Sequence, residues 1–186
     1  MYNKSLNYVV GVKNVKNTID KPFNELTIKF LADLSKLIIN NKKYRNFPDL
    51  ITFGFWIRES KIQNLKKKIN NLNQKVSKGT IFHIAPSNVP LNFAYSFVFG
   101  LLTGNSNVLK LPSKNFPQVK IFCELINYLF NKKKFQNLKI KNSLIKYNSE
   151  IEEITKEYSL KSDVRIIWGG DQTIKNIKKF HTSKKP

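Results

Sequence analysis

The residues of this chain best suited to chemistry begin with the turn Pro86-Ser87-Asn88-Val89-Pro90. Two prolines restrict its backbone, so the side-chain amide of Asn88 is held where it could donate a hydrogen bond to a developing oxyanion, a contribution of about 3 kcal/mol in enzymes. The competing reading is an asparagine that only closes the turn on its own backbone. Lys110, Ser113 and Lys114 come next. No carboxylate falls between Lys110 and Glu124, which leaves two ammonium groups and a hydroxyl to meet a phosphate dianion. Two ordinary surface lysines in a lysine-rich chain are the bland alternative. In Trp168-Gly169-Gly170-Asp171 the glycines allow backbone amides to approach an anion at a helix start, although glycines before a helix are often simple turn residues. Asp171 is expected to cap that helix rather than to catalyse. The single thiol, Cys123, has Val119, Ile126 and Phe130 at helical spacing, which predicts an inert packing cysteine. His83 lies between Phe82 and Ile84 in an apolar stretch, His181 lies in a basic tail, and no metal-ligand spacing is evident, so no metal site is expected.

Strands and helices must position these groups. Residues 80–85 read as a buried strand, 86–90 as a turn, 91–102 as an apolar helix and 107–111 as a second strand. Such a strand-helix-strand unit binds ligands at the carboxyl ends of its strands, where Ser87, Asn88 and Lys110 fall. Strands are also expected at 143–147 and 163–168. Helices are expected at 117–130, at 149–158, where Ser149-x-x-Glu152 has the form of a capping box, and from about Gln172. Upstream, Leu26, Phe30, Leu34, Leu37 and Ile38 predict an amphipathic helix within 23–44, and Ile62, Leu65, Ile69 and Leu72 another within 60–73. Between them, residues 47–56 read as an aromatic-rich connector broken by Pro48 and Gly54. The alternation predicts an α/β fold with a parallel sheet and right-handed crossovers. The pattern changes after Ser77-Lys78-Gly79, dividing an N-terminal helical segment, 1–78, from a strand-and-helix unit, 79–186. The runs Lys66-Lys67-Lys68 and Lys132-Lys133-Lys134 are expected on solvated faces or loop tips.

A chain of 186 residues with a formal charge of +21 could be a nucleic-acid binder or a module for an anionic surface. Nearly all of that charge is lysine, with arginine only at Arg45, Arg58 and Arg165. Together with the wealth of Asn, Ile and Phe, this is the mixture that codons rich in A and T produce. Nucleic-acid surfaces favour arginine for bidentate contacts, so nucleic acid is not the expected partner. The first 12 residues hold only a brief apolar patch, too short for a signal-peptide core. The longest apolar run, 93–102, falls short of the roughly 20 residues of a membrane span. A lone cysteine fits a reducing compartment, and the expected location is cytoplasmic.

Pro86-Ser87-Asn88-Val89-Pro90 resembles the proline-x-asparagine-x-proline turn of the aldehyde dehydrogenase superfamily, and residues 107–113 resemble its lysine-bearing second strand. Three blocks in order are similar to one branch of it, the LuxC-type long-chain acyl-CoA reductases. They are Pro48-Asp49-Leu50-Ile51-Thr52-Phe53-Gly54-Phe55-Trp56, Phe82-His83-Ile84-Ala85-Pro86-Ser87-Asn88-Val89-Pro90 and Arg165-Ile166-Ile167-Trp168-Gly169-Gly170-Asp171. The resemblance runs from about Phe23 to the C-terminus and covers only the first half of the family. It implies an aldehyde dehydrogenase-like, Rossmann-type parallel sheet, so that 79–186 would be a partial NAD(P)-binding domain. It implies NADPH-dependent reduction of a long-chain acyl-CoA, or of an acyl-protein thioester, to a fatty aldehyde. Asn88 would support the oxyanion, and Pro86, Ser87, Lys110, Ser113, Lys114, Gly169 and Gly170 would contact the cofactor. Ser87 stands where many relatives carry an aromatic residue, which weakens its assignment. The family's catalytic cysteine lies well beyond the glycine loop, so Cys123 is not its counterpart and the isolated chain is expected to be inactive. A C-terminal half, an acyl-transferring protein or a second copy of the chain are the partners left open. The rival expectation is a non-catalytic remnant that binds nucleotide or polyanion, or a basic interaction module.

Overall fold

Helix formation at the N-terminal end starts with a cap. In the computed structural model, which describes residues 6–86 and 88–183, the Asn24 side chain accepts from the Thr27 amide at 2.8 Å and opens α1 (Glu25–Ile39). Its 3.6-residue apolar spacing buries Ile28, Leu31, Leu34 and Ile38 along one stripe. Residues 47–56 correct the connector reading. They form α2 (Pro48–Trp56), with Pro48 in the first turn, where its missing N–H costs nothing. Gly54 is no breaker there. A side chain at 54 would meet Ile38 Cγ2 at 2.8 Å, so the glycine lets α2 lie close on α1, and Ser35 Oγ donates to the Gly54 carbonyl at 2.7 Å across the contact. Then α3 (Glu59–Lys67) buries Ile62.

The remainder alternates: β2 (Thr80–Ile84), α4 (Asn92–Leu102), β3 (Ser106–Lys110), α5 (Pro117–Phe130), the short α6 (Gln136–Lys139), β4 (Asn142–Lys146), α7 (Glu152–Leu160), β5 (Val164–Ile167) and α8 (Asp171–Lys178). Strands β4, β3, β2 and β5 lie side by side in that order and are mutually parallel. The sheet as a whole is mixed, which corrects the parallel-sheet expectation. A strand that was not anticipated, β1 (Asn7–Gly11), pairs antiparallel with the outer edge of β4. It covers backbone groups that would otherwise form an open edge. Its signal is weak because an edge strand is half exposed and this one is irregular between Tyr8 and Val10.

Apolar side chains fill both faces of the sheet. One core gathers Leu109 and Leu144 with α1, α2, α4 and α5, and draws on residues from both 1–78 and 79–186. The other packs Phe82, Ile84, Val108 and Ile145 against Ile154 and Tyr158 of α7. Burial on both faces explains why β2 and β3 read as continuous buried runs rather than as alternating strands. Among the described residues no helix is long and apolar enough to cross a membrane.

Candidate functional site

The strand order reverses direction at β2, since the chain steps outward from β2 to β3 to β4 and then returns to place β5 on the other side. Beyond the carboxyl ends of the strands such a reversal leaves a crevice, because the connecting segments diverge. A cavity of about 580 Å³ lies there. Its floor and first wall are Ile84, Ala85, Pro86 and Asn88 from the end of β2. Lys110, Leu111 and Ser113 come from the end of β3, and Ser149, Glu152 and Thr155 from the start of α7. Trp168, Gly169 and Gly170 close it from β5, with Thr173, Asn176 and Ile177 of α8 behind them.

Lys110 is the charged centre of this cavity. It is 7% exposed, and burial pulls its pKa below the usual lysine value. Its ammonium donates to Ser149 Oγ at 2.6 Å and lies 4.8 Å from the centre of the Tyr147 ring. Ser113 Oγ is 3.4 Å from the same Ser149 hydroxyl. Both contacts of the ammonium are neutral, and among the described residues no carboxylate pairs with Lys110. A buried cation without a counter-ion is costly unless an anionic ligand supplies one.

Ser149 was expected to cap the helix that follows. Instead α7 begins at Glu152 without a side-chain cap, and the Ser149 hydroxyl is turned onto Lys110. That leaves Glu152 exposed on the cavity wall, a carboxylate that proximity along the chain does not reveal. Asp171 also departs from expectation. It is the first residue of α8, the N-cap is Gly170 in an extended conformation, and no side chain caps the helix. The amides of its first turn therefore have no internal side-chain partner. A β-carbon at Gly170 would meet nothing within 4 Å, so the approach to that turn is open.

Asn88 is exposed and lines the cavity in the turn after β2. Pro86, Asn88, Lys110, Ser113, Gly169 and Gly170 thus share one cavity. Ser87 lies outside the described residues. Lys114 lies elsewhere, on the rim of a largely apolar groove of about 540 Å³ lined by Leu111, Phe116, Val119 and Cys123. The two lysines weighed together in the sequence point into different spaces. Cys123 is 6% exposed, and burial raises its thiol pKa to about 12, so it is protonated and unreactive at neutral pH. His83 is wholly buried between Ser96 and Asn107, and its pKa falls to about 4 by desolvation. Among the described residues no cluster of His, Cys, Asp or Glu could hold a metal ion.

The family model for acyl-CoA reductases of the LuxC type matches residues 56–186, well over half of the chain. The chain belongs to the LuxC acyl-CoA reductase family. No curated protein matches it. The match begins at Trp56, so most of the upstream block 48–56 lies before it, whereas every residue that lines the cavity lies within it. Membership in the family carries the activity in general terms, reduction of an acyl-CoA thioester to an aldehyde. In the sequence Ser149, Glu152 and Trp168 read only as parts of a capping box and of the glycine turn, and their place in this cavity follows from the crossover geometry of β4, α7 and β5.

Proposed function

We propose that these residues form the cofactor-binding and oxyanion-supporting part of an NADPH-dependent reductase that converts long-chain acyl-CoA to fatty aldehyde. The architecture is read as aldehyde dehydrogenase-like and Rossmann-type, with residues 1–78 an N-terminal segment and 79–186 a partial NAD(P)-binding domain. The observation that carries the reading is Lys110, a buried ammonium with only neutral partners in a cavity whose opposite wall is the glycine-led start of α8. A phosphorylated dinucleotide fits this chemistry. Its anionic groups would find a cation on one side and uncapped amides with favourable helix dipole on the other.

The chemistry such a dinucleotide brings is two-electron reduction of the thioester carbonyl. The chain's own residues would do the rest of what is available here. Lys110, held by Ser149, anchors ribose or phosphate. Ser113 adds a hydroxyl, and Gly169 and Gly170 leave room for backbone amides to donate to phosphate. Asn88 lines the cavity, where its amide would stabilise the negative charge that develops on the carbonyl oxygen. No thiol of this chain faces the cavity, since its one cysteine lies on α5 beside the other groove. The acyl-accepting thiolate is therefore assigned to polypeptide other than these 186 residues.

Titration with NADPH and NADH tests the reading, with binding followed by calorimetry and turnover of a long-chain acyl-CoA followed by cofactor oxidation. Saturable NADPH binding with no turnover by the chain alone is expected. Addition of a cysteine-bearing C-terminal half from the family should give activity that Asn88→Ala lowers by roughly 100-fold. Salt-sensitive retention on DNA with no nucleotide binding would select the basic interaction module instead.

A further inference from the structure

A continuous hydrogen-bond chain leads from the heart of the sheet to the mouth of the cavity. Asn142 Nδ2 donates to the Leu138 carbonyl at 2.6 Å. Asn107 Nδ2 donates to Asn142 Oδ1 at 2.8 Å and to the Asn105 carbonyl at 3.0 Å. Both amide hydrogens of Asn107 are thereby used, and its Oδ1 faces His83 Nε2 at 3.0 Å as an acceptor. Nε2 must then carry the imidazole proton, which leaves Nδ1 bare. Ser96 Oγ, 2.8 Å from Nδ1, donates to it, and its lone pair accepts from Trp168 Nε1 at 3.1 Å. Every step has its donor and acceptor fixed by the one before.

The chain of bonds is built tightly. Gly100 on α4 faces the point where His83 and Asn107 meet, and a β-carbon there would come within 2.9 Å of His83 Nε2. His83, Asn107 and Asn142 are fully buried, and Ser96 nearly so. Trp168 is different, 40% exposed at the outer end. A large apolar ring is thus pinned by its N–H to a rigid interior while its surface stays open to the cavity. Trp168 belongs to neither apolar core, so core packing alone does not account for this arrangement.

We propose that Trp168 is a ligand-binding residue of the cavity, whose pinned indole stacks against a flat heteroaromatic ring of the bound nucleotide, and that Ser96 and His83 are the positioning residues that hold it. The proposal rests on the reading of the cavity as a dinucleotide site and adds to it a wall that Lys110 and the glycines do not provide. Stacking on a preoriented aromatic loses little rotamer freedom on binding.

The chain has two tryptophans, so Trp56→Phe makes Trp168 the sole indole emitter. In this background NADPH, NADH and coenzyme A are titrated in turn, with calorimetry as the independent measure of binding. Trp168 emission should be quenched saturably with the calorimetric affinity. Trp168→Leu should weaken that binding at least tenfold and Trp168→Phe much less, with both variants melting within a few degrees of the parent. Ser96→Ala should lower the emission anisotropy of Trp168 without ligand and weaken binding, and Ser96→Thr should restore both. Calorimetric NADPH binding that leaves Trp168 emission and the Trp168→Leu affinity unchanged overturns this inference while the NADPH reading stands. Quenching by coenzyme A but not by NADPH keeps the stacking role and overturns the cofactor assignment. Binding of none of the three overturns both.

Discussion

Lys110 Nζ donates to Ser149 Oγ at 2.6 Å, joining the end of β3 to the segment before α7. The contact orients a buried ammonium without neutralising it. Lys110→Met should therefore separate binding from stability. Charge-assisted phosphate contacts are worth about 1.5 to 3 kcal/mol, so NADPH affinity should fall roughly 10- to 100-fold. The melting temperature should hold or rise, since a desolvated charge is removed. A marked drop in melting temperature with unchanged NADPH affinity would show that the lysine serves the fold alone. Ser149→Ala should give a smaller loss of affinity than Lys110→Met.

Glu152 brings a carboxylate to the same cavity wall. Neutralising it removes repulsion toward a phosphate dianion, and an exposed charge is screened by solvent and salt. Glu152→Gln should accordingly raise NADPH affinity by several-fold at low salt and much less at 0.5 M salt. NADH, which lacks the 2'-phosphate, should gain less. An equal gain for both cofactors would mean that Glu152 sets the general potential of the cavity and not the choice between them.

His83 ties stability to pH. Its pKa in the fold is about 4, against 6.5 for an ordinary imidazole. As pH falls from about 6.5 to about 4 the unfolded chain takes up a proton that the folded chain refuses. Stability is lost through that window, by up to about 3 kcal/mol. In His83→Gln this contribution is absent. Urea denaturation at pH 7 and at pH 4.5 should show the wild type falling further than the variant between the two, and parallel falls would refute the buried neutral imidazole.

Cys123 should be nearly silent toward alkylation. With its thiol pKa raised to about 12, the thiolate fraction at pH 8 is on the order of one in ten thousand, and the surrounding apolar side chains restrict access. Iodoacetamide labelling followed by mass should be on the order of a thousandfold slower in the folded chain than in 6 M guanidinium. Fast labelling of the folded chain would place the thiol at the surface.

Gly54 tests the contact between α1 and α2. On helix propensity alone Gly54→Ala should stabilise by up to about 1 kcal/mol. The close approach of Ile38 Cγ2 reverses the sign, and overpacking there should destabilise by about 1 to 3 kcal/mol. The urea midpoint measures it, and a stabilised variant would mean that residues 48–56 are not packed as described.

Much of this protein follows from its sequence, wherever the determinant is local. The limits of α5 coincide with the residues expected from Pro117 and the apolar repeat ending at Phe130. The strands at 80–84 and 106–110 are legible from the apolar pairs Ile81-Phe82 and Val108-Leu109 within them, although burial on both faces extends to their polar residues as well. The place of Asn88 and Lys110 at successive strand ends follows from the period of one crossover. Tertiary structure decided the rest. Residues 47–56 form a helix because α1 offers an apolar face to pack on, which overrides the breaking tendency of Gly54. Antiparallel β1 exists because β4 offers an open edge far along the chain, with Tyr8 paired to Ile145, 137 residues away. Ser149 does not cap α7, which starts at Glu152 after Ile151, and its hydroxyl accepts from Lys110, a partner supplied by a different strand. Lys110 and Lys114 separate because the chain turns outward after β3, while Glu152 and Trp168 come together from distant segments. Periodicity and capping act over a few residues and are written in order along the chain. The partners of a buried charge are set by which strands lie adjacent, and that order is fixed only when the sheet closes on its core.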